Sequence, residues 1–452
     1  MITAQKTIWA PESRPVTERK ARVRRFPCST GMKHSMVLAA AMILAGGLDY
    51  AVNVVAGRWL NPLDYGVFVS VTAVLQVLIF LSIAIRNVVA FYTAELTLKE
   101  DGGKSVAAFV QHSWRWATTW GMLTALLMIV ASPLLASTLH LPNAWPVRAA
   151  SPMVLLLFLR ETTYGALQGT QAFTRLGLVQ VPQAFLRIAL AGLLIWLGGH
   201  AVGAIAAQPL SCVFGVALAL WWLRPYFRLP CTSAEWHVSW HYSAHTVFGL
   251  AAFGTLINFD ALFVKHFYSP QVAGNYGPVV TLAKIAIFLP WAIGFVVFPK
   301  FTRRRATGQD ARPLVLLALA ATLVPGLALT TVYFFFPAGL VKNIFTGAYA
   351  NPGVVLGLAT LAASLYSGLN IWFNYALSLE RRLPFLFALL GVLLLQAAGM
   401  FLFGRHSLVH MTIVMVAAAL LGNVAGLATT WATAPVRNGS MPETASVTPC
   451  CG

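Results

Sequence analysis

Residues 48–91 read LDYAVNVVAGRWLNPLDYGVFVSVTAVLQVLIFLSIAIRNVVAF. Two hydrophobic runs meet at Asn61-Pro62-Leu63-Asp64-Tyr65-Gly66, which reads as a hinge between helices. The first run carries Asp49 and Asn53 four residues apart, on one helix face, and the second carries Arg86. A weaker copy lies further along the chain. There Ile257-Asn258-Phe259-Asp260 sits in one run, Ser269-Pro270 marks the break, and Tyr276-Gly277 opens the next run, which holds Lys284. The chain therefore reads as two related halves, each keeping charge where hydrocarbon would be expected.

Composition agrees with a membrane environment. Hydrophobic residues make up 58% of the 452 residues and charged residues 10%, with a mean hydropathy of +0.73, far more apolar surface than a soluble core needs. Runs of about 20 apolar residues, long enough to cross a bilayer core of about 30 Å as helices, recur along nearly the whole chain. Transmembrane barrels are excluded because their strands are short and alternate.

The expected fold is thus an all-α integral membrane protein of about twelve transmembrane helices. The runs are 36–56, 67–91, 117–139, 147–167, 179–197, 201–223, 245–267, 278–299, 313–336, 354–377, 384–403 and 409–431. They divide into a first lobe at 36–223 and a second at 245–431. Residues 1–35 form a basic N-terminal tail, 224–244 a linker, and 432–452 a C-terminal tail.

The net charge of +18 invites a nucleic-acid reading, but the basic residues are spread over connections between spans. With the N-terminus inside, 22 Lys and Arg fall on the cytoplasmic side, 5 on the other and 4 within spans, which places both termini in the cytoplasm by the positive-inside rule. The first apolar run begins only at Met36 and continues into a full span, so no cleavable signal peptide fits. Cys28, Cys212, Cys231, Cys450 and Cys451 show no metal-ligand spacing; no metal, cofactor or nucleic-acid partner is expected.

Six crossings per half is an even number, so both halves enter the membrane from the same side and repeat in parallel about an axis along the membrane normal. Two such lobes enclose a central cavity, and rocking them gives alternating access. A transporter is the leading class.

The charges within spans are Arg86, Arg160, Arg187 and Lys284 against Asp49, Glu161 and Asp260. Each costs about 2.5–3.5 kcal/mol near the bilayer centre unless it is paired, snorkelled or in water. Adjacent Arg160 and Glu161 read as structural or snorkelling. Arg86, Arg187 and Lys284 are the cavity candidates, because they exceed the acids available to them and an anionic substrate would supply the missing partner. Asp49 and Asp260 are candidates for H⁺ or Na⁺ coupling, and Asp49 is equally suited to neutralise Arg86 or Lys284. Asn370 and Asn374 share a helix face with Tyr366 and suit sugar hydroxyls. Pro133, Pro182, Pro290 and Pro325 are candidate kinks, and Gly165-x-x-x-Gly169 reads as close helix packing.

Several segments carry a resemblance: Gly57 to Gly66, Gly165-Ala166-Leu167-Gln168-Gly169, Leu186-Arg187 leading to Leu197-Gly198, and Asn258-Phe259-Asp260 with Tyr276-Gly277. Together they resemble the polysaccharide transporter (Wzx-type oligosaccharide flippase) branch of the MOP superfamily, over about residues 36–431. That resemblance implies two six-helix lobes around a cationic cavity, a lipid-linked oligosaccharide as substrate, and the bacterial inner membrane as location. It also implies membrane lipids, a polysaccharide polymerase and other glycan-assembly proteins as partners. On that basis Arg86, Arg187 and Lys284 would hold the diphosphate of an undecaprenyl carrier. The competing readings are a MATE-like ion-coupled exporter of small cations, which needs a negative cavity, and a membrane-embedded glycan polymerase or ligase. No ATP-binding phosphate loop occurs in the sequence.

Overall fold

The computed structural model describes residues 28–97, 102–229, 240–287, 301, 304, 310–379 and 383–431, and among them there is no strand. Both terminal tails beyond these limits, much of the linker and residues 288–299 of the eighth expected span, with Pro290, lie outside the described residues.

The first half comprises α1 (Cys28–Trp59), α2 (Pro62–Leu96), α3 (Gly102–Val130), α4 (Ser132–Thr138), α5 (Trp145–Gly169), α6 (Phe173–Leu194) and α7 (His200–Arg228). The second comprises α8 (Trp240–Leu256), α9 (Phe259–Phe267), α10 (Pro270–Ala283), α11 (Arg312–Phe335), α12 (Pro337–Ile344), α13 (Val354–Leu377), α14 (Leu383–Gly399) and α15 (Leu408–Gly426). Two pairs of consecutive helices are bent at a short break. α3 and α4 bend by 52° and α8 and α9 by 47°. Pro133 lies in the first turn of α4 and accounts for the first bend. The second occurs without proline. There the Asn258 amide donates to the Gly254 carbonyl at 2.8 Å, inserting a side chain where the helix ladder would continue.

With α12 as a short connector and each bent pair taken together, a described helix overlaps each of the twelve expected runs, the eighth only through the end of α10. Six of these helices are long and apolar enough to cross a membrane alone, or eight with the bent pairs. The run 173–228 counts once in that number although it doubles back. A π-helical turn at Ile195–Gly199 closes α6, and Gly198, at φ +82°, takes the left-handed conformation that reverses the chain into α7. Trp196, Phe335, Val130 and Leu134 are 76%, 74%, 69% and 66% exposed. Large apolar side chains on the outside are what lipid, not water, requires. The chain is a multi-pass membrane protein.

The expected hinge at residues 61–66 is instead the start of α2. Asn61 accepts from the Asp64 N–H at 2.8 Å and donates back to the Asp64 carboxylate at 3.0 Å, and Pro62 takes the first helical position. Ser269-Pro270 opens α10 in the same way, with Ser269 Oγ accepting from the Val272 N–H. Tyr65-Gly66 and Tyr276-Gly277 therefore lie within helices. These two starts pack on each other: a Cβ on Gly66 would stand 3.0 Å from the Gly274 backbone, and one on Gly277 would meet the Tyr65 ring at 2.6 Å.

Helix pairings recur between the halves. In the first, α5 packs on α2, α3 and α7, α1 on α6, and α6 on α7. In the second, α13 packs on α10, α11 and α15, α8 on α14, and α14 on α15. Each pairing joins the same ordinal passages, so the repeat expected from the sequence is present in three dimensions. α2 carries most of the contact across the halves, against α8, α9 and α10.

Candidate functional site: a cationic cavity

Small residues set the geometry. A Cβ on Gly165 would lie 2.8 Å from the Arg86 carbonyl, and one on Gly169 would lie 2.6 Å from the Ala90 carbonyl. α5 therefore lies directly against the C-terminal half of α2. One turn before Gly165, the Glu161 carboxylate meets that same stretch of α2. It has no exposed surface, and it accepts from Arg86 Nε at 2.5 Å through one oxygen and from Arg160 Nη2 at 2.6 Å through the other. Arg86 further stacks over the Tyr164 ring, 5.5 Å from its centroid.

Across from this pair, α1 packs on α6 and brings a second ion pair to the same space. Arg187 Nη1 donates to Asp49 at 3.0 Å and Nη2 to Gln208 on α7 at 3.2 Å. Arg187 is buried, with an Nε that has no partner among the described residues, whereas the Asp49 side chain is half exposed.

These groups line one cavity of about 540 Å³, walled by α1, α2, α5, α6 and α7 and lined also by Ile285. Its charged lining is Arg86, Arg160, Arg187 and Asp49. With Glu161 counted behind the wall, two guanidiniums share one carboxylate and the third has another. Among the described residues, the cavity and its wall carry one positive charge in excess. Tyr164 and Gln183, hydrogen-bonded to each other, and Gln180 supply further polar groups at the Arg86 end.

Lys284 is placed apart from the arginines. It lines a separate side chamber of about 50 Å³, together with Val69, Ala73, Val280 and Thr281. Tyr50, Asn53, Thr72 and Gln76 belong to both spaces. Lys284 Nζ donates to Asn258 at 2.6 Å. Asp260 is buried in the second half, with one oxygen accepting from the Tyr276 hydroxyl at 2.9 Å and the other unpartnered among the described residues. Asn370 and Asn374 do not line either space; Asn374 donates to the Asn370 carbonyl at 2.8 Å, and Tyr366 on the same helix donates to Gln396 at 2.5 Å.

Sequence reasoning thus grouped Arg86 and Arg187 with Lys284, and the structure groups them with Arg160. The periodicity of the cavity side chains was available in the sequence. Gln180, Gln183 and Arg187 follow helical spacing on α6, Thr72, Gln76 and Arg86 on α2, and Arg160 and Tyr164 on α5. The polar stripe, more than any single charge, marks the cavity.

The family described as Polysaccharide biosynthesis protein matches residues 32–304, more than half of the chain. No curated protein matches the chain. Among solved structures, an inward-facing multidrug resistance MATE family transporter of the MOP superfamily is similar at a TM-score of 0.68 and 15% identity, covering 87% of this chain and 98% of that one. An outward-facing MATE transporter gives 0.65 and 15%, covering 89% and 96%. The lipid II flippase MurJ, in an inward closed conformation, gives 0.65 and 11%, covering 87% of each chain. At these identities the likeness is one of fold, that of MOP-superfamily transporters.

Proposed function

Because the chain belongs to the polysaccharide biosynthesis protein family, we propose that it is a flippase that turns an isoprenoid-diphosphate-linked oligosaccharide across the bacterial inner membrane by alternating access. The observation that carries this reading is the sharing of Glu161 by Arg86 and Arg160 in the wall of a membrane-embedded cavity. Excess cationic charge at that depth is costly unless an anion joins it. A diphosphate supplies that anion, and a guanidinium fork can hold it through two parallel hydrogen bonds. Each charge-assisted bond is worth about 1.5–3 kcal/mol, enough to capture the head group against its hydration. The isoprenoid tail stays in lipid, and both termini face the cytoplasm.

Asp49 is the group best placed for ion coupling. It holds Arg187, and its side chain is half exposed in the cavity. A proton on Asp49 would remove its charge and free Arg187 for substrate; loss of that proton would restore the pair and favour release. A polymerase consuming the product on the far side would add further direction.

The cation-exporter reading calls for a cavity of opposite sign, so the charge of the lining speaks for an anionic substrate. The test is flipping of a fluorescent isoprenyl-diphosphate sugar by protein reconstituted in liposomes. Arg86→Ala and Arg160→Ala are each expected to lower the initial rate at least tenfold while the protein still inserts. Wild-type rates in both variants would overturn the proposal, as would a deletion strain that gains sensitivity to cationic compounds without accumulating lipid-linked sugar.

A further inference from the structure

Arg86 and Lys284 lie at two different depths. Lys284 shares its side chamber with Val69, Thr72, Ala73 and Gln76 of α2. From Gln76, the residue of that set nearest Arg86, the helix advances ten residues to Arg86, about 15 Å along its axis. The two cationic points line different spaces, Arg86 the main cavity and Lys284 the side chamber. What lies between them is uncharged and hydrogen-bonding: Tyr50, Asn53, Thr72 and Gln76, the four residues common to both spaces.

This stretch is under-used by the protein itself. The Tyr50 hydroxyl is buried and has no partner among the described residues. The Asn53 amide donates to the Asp49 carbonyl at 3.2 Å, which leaves its own oxygen to accept. Lys284 gives one of its three protons to Asn258. No carboxylate among the described residues stands within salt-bridge distance of it; Asp260 acts on it only from beyond that distance and accepts from Tyr276 through one oxygen. A buried cation, a buried unpartnered hydroxyl and open amide groups, connected to an anion-binding cavity, describe a site for a polyhydroxylated ligand with a negative charge of its own.

Resting on the flippase reading, we propose that the neutral groups common to both spaces form the sugar subsite of the carrier, and that Lys284, reached through the side chamber, selects a carboxylate-bearing sugar. The diphosphate anchors at Arg86 and Arg160. The glycan then runs along α2 past Gln76 and Tyr50, with the acidic residue at Lys284. Neutral hydroxyl and amide groups bind most sugars with modest preference, whereas a lysine with no carboxylate in contact rewards an incoming one with a charge-assisted bond. The substrate class is therefore an acidic oligosaccharide.

The full-length protein in lipid nanodiscs tests this with three short-chain probes: an isoprenyl diphosphate without sugar, the same carrier with a neutral disaccharide, and the same carrier with a disaccharide ending in glucuronate. Wild type is expected to bind the glucuronate probe about tenfold more tightly than the neutral one, the gain of a single charge-assisted contact. Lys284→Gln is expected to bring that ratio to within twofold of one. Gln76→Leu, similar in shape, is expected to weaken both sugar probes relative to the bare diphosphate, and gives a second measure should the lysine variant fold poorly. The proposal is overturned if wild type shows no preference for the acidic probe, if Lys284→Gln keeps the preference, or if it weakens all three probes equally. Arg86→Ala is expected to weaken all three in parallel; if it binds all three as wild type does, the diphosphate assignment falls, while the Lys284 ratio still decides the sugar subsite.

Discussion

Glu161 is fully buried and accepts from two guanidiniums at once, so its replacement acts on stability as well as on substrate. Breaking a buried ion pair by removing one partner costs about 3–5 kcal/mol, and here two cations would be left facing each other. Glu161→Gln is expected to lower the thermal unfolding midpoint in detergent, followed by tryptophan fluorescence. Combining it with Arg86→Gln should recover part of the loss, since one cation then suffices for no carboxylate better than two do. An additive double variant would mean that Glu161 stabilises by packing alone. Asp49→Asn carries the coupling prediction: it leaves the hydrogen bond to Arg187 possible but removes the carboxylate, so flipping should lose its response to an imposed ion gradient. A retained response would move the coupling site elsewhere, with the buried Asp260 next to be tested. At this scale the sequence exposed which charges sit within spans, but not their partners. Adjacency made Arg160 and Glu161 read as structural or snorkelling, and only the approach of α5 to α2 reveals that Glu161 serves Arg86 as well. Likewise Asp49 meets Arg187 because α1 packs on α6, a lateral contact that no local pattern encodes.

Helix starts and bends were legible in different degrees. The Asn61-Pro62 and Ser269-Pro270 caps are local signals, and they fix the starts of α2 and α10 more firmly than hydropathy does. The bend at Pro133 follows from a proline, whereas the bend at Asn258 depends on an amide turned back on its own helix, for which an asparagine in a hydrophobic run is too weak a cue. Gly165 and Gly169 were legible as packing residues, though not as packing residues of the site. Because they let α5 approach α2, they position Glu161 against Arg86 without touching the cavity. Gly169→Val would drive a side chain into the Ala90 carbonyl and Thr93, at a cost of about 1–3 kcal/mol for overpacking. The expected outcome is a lower unfolding midpoint together with weaker binding of the bare isoprenyl diphosphate. Gly103→Val, where nothing stands within 4 Å, provides the neutral comparison.

Across the whole molecule, parity of crossings predicted a parallel repeat, and the recurrence of five helix pairings in both halves is its physical form. Such a repeat makes rocking about the α2 interface the natural motion, and the contacts that oppose it cluster where α2 and α10 begin. Arg58, at the end of α1, donates from Nε to the Ile344 carbonyl and from Nη2 to the Asn343 carbonyl, each at 2.7 Å. It thereby places a cation on the negative end of α12 in the other half. Beside it the Tyr349 hydroxyl donates to the Gly57 carbonyl at 2.7 Å, and burial raises its pKa above the ordinary tyrosine value, so it remains a donor well beyond neutral pH. Tyr65 adds a third bridge, hydroxyl to Thr281 at 2.6 Å. If these bonds hold that face of the cavity shut, weakening them should shift the population toward opening there, by the difference in free energy they contribute between the two states. In a variant lacking the native cysteines, Asn53→Cys reports the event, since residue 53 lies on the cavity wall just below the latch. Arg58→Ala is expected to raise the rate at which a membrane-impermeant maleimide, applied from the Arg58 side of sealed vesicles, labels that cysteine. Arg58→Lys, which keeps the charge but cannot span both carbonyls from one planar group, should fall between the two. Equal labelling in all three would place the barrier to opening in the packing of Gly66, Gly274 and Gly277 against their neighbours, not in the polar latch.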